Sequence, residues 1–156
     1  MEKYFRTKQG NKVDIVEHTL EQLKLWPHLK MYVGTDSQDD GPETTYATAI
    51  VYRYGQRGAH VIFLIENVTK IKNIFTRLYN EGTRTIEVAR MIQEEIPAIK
   101  FEALEFDYAD IEKTESTPVV AALRGWVQGL GFNYSFKSGE QLATKAADHI
   151  ARHSNI

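Results

Sequence analysis

Lys30-Met31-Tyr32-Val33-Gly34-Thr35-Asp36-Ser37 opens the stretch that decides the fold. It reads as a short buried strand over residues 30–36, followed by the turn signal Asp39-Asp40-Gly41-Pro42. Residues 44–54 and 59–65 are rich in β-branched and aromatic side chains, and Gly55-Gln56-Arg57-Gly58 between them reads as a hairpin loop. Three strands joined by short loops predict an antiparallel meander. Toward the N-terminus, Val13, Ile15, Val16, Leu20, Leu23 and Leu25 recur at roughly helical spacing, so residues 11–26 are expected to be a helix closed by Pro27. Toward the C-terminus, residues 71–96 read as a long helix, with Gly82 as a point where it could break and Pro97 as its end. Residues 99–108 read as a fourth strand. Thr117-Pro118 opens a helix with proline in its first turn, continued by Val119, Val120, Leu123 and Trp126 and closed by Gly129 and Gly131. Residues 132–136 form a fifth strand and 139–152 a last helix. Because strands four and five are each reached through a helix, parallel crossovers are expected. The fold class is α/β: a mixed five-stranded sheet in the order β-β-β-α-β-α-β-α, flanked by helices. One domain is expected over residues 1–156, with 1–28 as an N-terminal helical extension of a core at 30–153.

The bulk composition narrows the chemistry. With 156 residues, 42% apolar and 26% charged, the chain can build a proper core. It has no cysteine, which excludes disulfides, thiol catalysis and cysteine-bound zinc. No apolar run approaches the ~20 residues of a membrane span, and Met1-Glu2-Lys3-Tyr4-Phe5-Arg6 lacks the apolar centre of a signal peptide; a cytoplasmic location away from membranes is expected. A net charge of −2 does not advertise nucleic-acid binding. It does not forbid it, because an acidic metal site lowers net charge while gripping phosphate through its ions. Neither a Walker-type glycine loop nor a Gly-x-Ser-x-Gly elbow around Ser37 is present.

Four carboxylates carry the functional signal: Asp36, Glu87, Asp107 and Asp148. Each lies near the end of an apolar strand or inside an amphipathic helix. Carboxylates gathered at one spot repel and need a cation to remain ionised together. Helical phase opens a contest at the glutamate. Val88, Ile92 and Ile96 share a face, while Glu87 falls with Arg90 and Glu94 on the polar side; Glu81 falls on the apolar stripe if the helix continues through Gly82. Asp148 likewise falls opposite Leu142, Ala146 and Ile150. His149 reads as a helix-surface residue, and His18, His28, His60 and His153 form no metal-binding pair at helical spacing. Tyr46, Tyr52 and Tyr54 alternate along a strand, which suits packing better than base stacking. Trp126 and the glycines around it are expected to set close packing between helix and sheet.

The element order and the acids on it resemble the ribonuclease H-like superfamily over about residues 30–153. Gly34-Thr35-Asp36-Ser37 is similar to that superfamily's first-strand motif, and Ala147-Asp148-His149-Ile150-Ala151-Arg152 to its last-helix motif. More narrowly, Arg77-Leu78-Tyr79-Asn80-Glu81, Thr85-Ile86-Glu87-Val88-Ala89, Gly125-Trp126 and Gly129-Leu130-Gly131-Phe132 resemble a bacterial YkuK-type branch. Two departures stand out: Lys137-Ser138-Gly139 lacks the branch's Pro-Asp after the lysine, and Glu105-Phe106-Asp107 replaces its His-Leu-Asp. The resemblance implies a metal-dependent nuclease acting on RNA, an RNA/DNA hybrid or DNA. Such enzymes direct water at a phosphodiester using two ions about 3.5–4 Å apart, here Mg2+ or Mn2+, which favour hard oxygen ligands. Asp36 would bridge, Asp107 and Glu87 (or Glu81) would complete one shell, Asp148 would hold the second ion, and Lys137 would touch substrate phosphate. The alternative it leaves open is a catalytically degenerate nucleic-acid-binding or scaffold module.

Overall fold

The computed structural model describes residues 4–108, 117–136 and 141–153. Its centre is the expected meander, longer than the sequence signals indicated. β3 (Lys30–Asp40), β4 (Glu43–Arg53) and β5 (Ala59–Thr69) pair antiparallel along their whole lengths. The turn expected over residues 39–42 tightens to Gly41-Pro42, because Asp39 and Asp40 remain paired with Thr44 and Glu43. Gly41 takes a left-handed φ of +57°, a conformation glycine adopts without a side-chain clash.

Among the described residues the sheet has seven strands rather than five, in the order β2-β1-β5-β4-β3-β6-β7. The two additional strands come from the N-terminal segment, where β1 (Phe5–Arg6) and β2 (Lys12–Val13) form a small hairpin. Arg6 pairs with Phe63, so this segment extends the sheet edge and is more than a helical appendage. The helix expected at 11–26 is shortened to α1 (Ile15–Leu25), because Asp14 stops the strand and caps the helix by accepting from the Val16 and Glu17 amides. At the other edge, β6 (Ala103–Phe106) runs parallel to β3, and β7 (Tyr134–Phe136) parallel to β6. Both are shorter than the apolar runs at 99–108 and 132–136. Ile99, Phe101 and Phe132 are buried as loop contributions to the core instead.

Alternation along β3 divides its side chains between two layers. Met31, Val33, Thr35 and Ser37 face α2 (Ile74–Glu95) and the main core, which α1 and α3 (Thr117–Leu130) complete. Tyr32, Gly34 and Asp36 face α4 (Leu142–Arg152). α2 is continuous through Gly82: a Cβ there would lie 2.4 Å from Leu123 Cδ1, so the glycine marks the crossing of α2 and α3 and not a break. Gly125 and Gly129, where close packing was expected, have open space around them. Tyr46 and Tyr52 are fully buried, in line with packing.

The tightest approach to another backbone is at Gly34, where a Cβ would meet both Cγ2 and the backbone nitrogen of Thr144 at 2.8 Å. A backbone atom of a helix end cannot swing aside. Gly34→Ala is therefore expected to cost about 2–3 kcal/mol by overpacking and to push α4 off the sheet, measurable as a lower urea midpoint with unchanged slope.

Candidate active site

The sheet opens where β6 leaves it. β6 pairs with β3 up to Gly34↔Glu105, and continuing that parallel register places Asp107 level with Asp36. Beyond this point, among the described residues, β3 stays paired only with β4, which leaves a gap on its other side. Asp107 is exposed between two buried aromatics, Phe106 and Tyr108, and the Tyr108 hydroxyl donates to the Leu78 carbonyl at 2.8 Å. The buried rings thereby fix the exposed carboxylate.

The gap is a cleft of about 520 Å³ lined by Asp36, Ser37, Gln38, Ile74, Arg77, Leu78, Glu81, Asp107, Thr144, Lys145, Asp148 and Arg152. Three of the four carboxylates expected from sequence meet here. The glutamate that joins them is Glu81, whose side is buried against the sheet, and not Glu87. Glu87 is exposed and lines shallow surface with Arg90, Met91 and Glu94. It sits six residues further along α2, more than one and a half turns away. Lys137 lies outside the described residues.

Asp148 approaches Asp36 from α4. Gln38 Nε2 donates to Asp148 Oδ1 at 3.0 Å and reaches Asp36 Oδ2 at 3.5 Å, and Arg152 Nε donates to Asp148 Oδ1 at 2.8 Å. Burial, then the neighbouring Asp148, push the Asp36 carboxyl up to about 7. Burial acts upward on Asp148 as well, but its contacts with Asp36 and Arg152 prevail and hold it below the usual carboxylate range. Of the two acids, Asp36 is therefore the more readily protonated. Across the sheet edge, burial and then the charge of Asp36 raise Glu81 well above an ordinary glutamate. Ser37 Oγ donates to Glu81 Oε2, and Arg77 clamps the serine, donating from Nε to Ser37 Oγ at 2.8 Å and from Nη2 to its carbonyl at 2.9 Å. Arg77 also pairs with Asp39 at 3.1 Å.

The raised Asp36 carboxyl makes folding stability depend on pH. Asp36 titrates near 7 folded against an ordinary 3.8, so the folded state holds a proton that the unfolded chain has already lost between those values. Stability from this group therefore falls as pH rises from about 4 to about 7 and stays low above. In metal-free buffer Asp36→Asn is expected to stabilise the protein by about 2–4 kcal/mol at pH 8, with the gain shrinking toward zero near pH 4, as read by denaturation at a series of pH values.

Glu105 holds α4 in place. Its buried carboxylate accepts from the amides of Leu142 (2.9 Å), Ala143 (2.6 Å) and Thr144 (3.1 Å), the otherwise unpaired donors of the helix start. Gln141, at the N-cap, has a left-handed backbone and makes no side-chain cap to these amides. In the sequence Glu105 stands out only as a departure from a family word. Arg77, Gln38 and Arg152 were likewise unassigned, because side-chain clamps between distant segments have no periodic signature.

Among the described residues no three Asp, Glu or His side chains form a ready-made metal-binding arrangement. The donor set nevertheless suits a hard divalent ion: four carboxylates line one cleft, and the burial and neighbouring acid that raise Asp36 mean that added positive charge is favoured there. No sulfur or imidazole lines it.

The mixed sheet, opening beside β3 onto a carboxylate-lined cleft and flanked by helices, defines an α/β protein. The sequence matches the ribonuclease H-like family over residues 13–152, and the chain belongs to that family. Among curated proteins, none matches it. Family membership indicates a nucleic-acid-directed nuclease or binding module. Among the described residues no helix is long and apolar enough to cross a membrane.

Proposed function

We propose that the protein is a divalent-metal-dependent nuclease that hydrolyses phosphodiesters in RNA, an RNA/DNA hybrid or DNA. The observation that carries this reading is the convergence of Asp36, Glu81, Asp107 and Asp148 on one cleft from β3, α2, the segment just after β6, and α4. Asp36 is central, within reach of Asp148 and electrostatically linked to Glu81. Asp36, Asp107, Asp148 and Glu81 would hold Mg2+ or Mn2+, with Glu81 taking the role that family resemblance gave to Glu87. Bound ions supply Lewis acidity toward water and the leaving oxygen.

The chain's own residues do the remaining work. Asp36 releases its proton when positive charge enters the cleft. Ser37 and Arg77 hold Glu81 in a single orientation, and Gln38 keeps the Asp36 and Asp148 carboxylates aligned. Lys145, exposed at the rim, is placed to take a substrate phosphate.

A binding module without turnover is the second reading. It is favoured by the Arg152–Asp148 ion pair and the Ser37–Glu81 contact, which already occupy two of the four carboxylates. Incubation of purified protein with labelled single-stranded RNA, hybrid and DNA in Mg2+ or Mn2+ separates the two. Metal-dependent cleavage lost in Asp107→Asn supports the nuclease. Salt-sensitive binding with no cleavage of any substrate in either ion leaves the module.

A further inference from the structure

A second cluster of potential ligands lies away from the cleft. His18 of α1 and His60 of β5, 42 positions apart in sequence, bring their Nε2 atoms to 2.7 Å. Both rings are half-buried and positioned by Tyr52 of β4: His18 meets it edge-on at 5.6 Å, and His60 stacks on it at 5.9 Å. Tyr52 is itself immobilised, buried and hydrogen-bonded to Thr19 at 2.8 Å. Two imidazoles facing each other through the same nitrogen can share one proton in a single N–H···N bond, or direct both lone pairs at one cation. Burial lowers both histidines, which favours the unprotonated, ligating form at neutral pH. Glu21, on the next turn of α1, presents negative charge to His18; Lys8 presents positive charge to His60.

Geometry selects the ion. With metal–nitrogen bonds of about 2.0–2.1 Å, nitrogens at this separation subtend roughly 80° at the metal. That is near the ~90° between adjacent positions of a square-planar or tetragonal ion and far from the ~109° of tetrahedral zinc. We propose that His18 and His60 form a bidentate site for a tetragonal divalent transition ion, nickel or copper, independent of the acidic cleft. Water completes its coordination, and the nearby Glu21 charge favours a cation there. An ion there ties α1 to the β4–β5 hairpin, reinforcing the Thr19–Tyr52 and Tyr54–Gln22 hydrogen bonds that already join them.

Nickel chloride titrated into the full chain is expected to raise Tm by about 5 °C or more at saturation. The shift persists in Asp36→Asn and His149→Gln and disappears in His18→Gln and His60→Asn. Electron paramagnetic resonance with Cu2+ reads the site directly, without depending on variant stability: coupling to two imidazole nitrogens is expected in the wild type. Absence of a nickel shift, a shift retained in His60→Asn, or a shift lost in His149→Gln (which places the ion at the His149–His153 pair of α4) would overturn the proposal. Loss of the shift in Asp36→Asn alone would overturn it too, assigning the ion to the cleft. Because the cleft variants are scored separately, failure here leaves the nuclease reading standing, and the converse holds.

Discussion

Glu81→Gln is expected to reduce metal-dependent hydrolysis by roughly a hundredfold or more, while Glu87→Gln leaves it within about twofold. Changes even to groups that only support a metal ligand cost about 10–100-fold, so loss of a ligand costs at least as much. The contrast follows from position. Glu81 is 5% exposed, faces Ser37 across the sheet edge and lines the cleft with Asp36. Glu87 points to solvent on another face of α2. Because burial raises Glu81, the glutamine variant removes a desolvated ionisable group and is expected to be at least as stable as the wild type without metal. Lost activity could then not be ascribed to unfolding. Steady-state cleavage rates of the two variants, with their melting curves, check both halves.

Glu105→Ala is expected to destabilise the protein by about 3–4 kcal/mol, through loss of an ionised cap and the exposure of three helix-start amides to an apolar surrounding. For a chain of this size that corresponds to a Tm roughly 10 °C lower. Glu105→Gln retains one acceptor oxygen and should recover part of the loss. The effect reaches the candidate site because α4 carries Asp148: as the helix start detaches from β6, Gln38 no longer holds Asp148 beside Asp36. Differential scanning calorimetry of the two variants gives the stabilities. Metal affinity measured well below each Tm shows whether the α4 carboxylate has been displaced.

The meander and the crossovers were legible because β-branched runs, turn signals and prolines report local structure, and three of the cleft acids were legible because they sit on those elements. The glutamate was not settled by sequence. Helical phase favoured Glu81 only if α2 ran unbroken through Gly82, a point fixed by the Leu123 contact from α3. The β1–β2 hairpin was missed because two-residue strands carry no period, and its pairing with Phe63 is purely tertiary. Strand ends at β6 and β7 were overestimated because apolar residues continue into the core after the ladder stops. The Glu105 cap and the His18–His60 contact join residues 37 and 42 positions apart, beyond the reach of any local pattern.

The most direct test of the central claim is an anomalous diffraction map from crystals soaked in Mn2+. One or two peaks in the cleft, touching Asp36 with Glu81, Asp107 or Asp148, are the expected result. A cleft without peaks at saturating Mn2+, or an ion held at Glu87 instead, would contradict it.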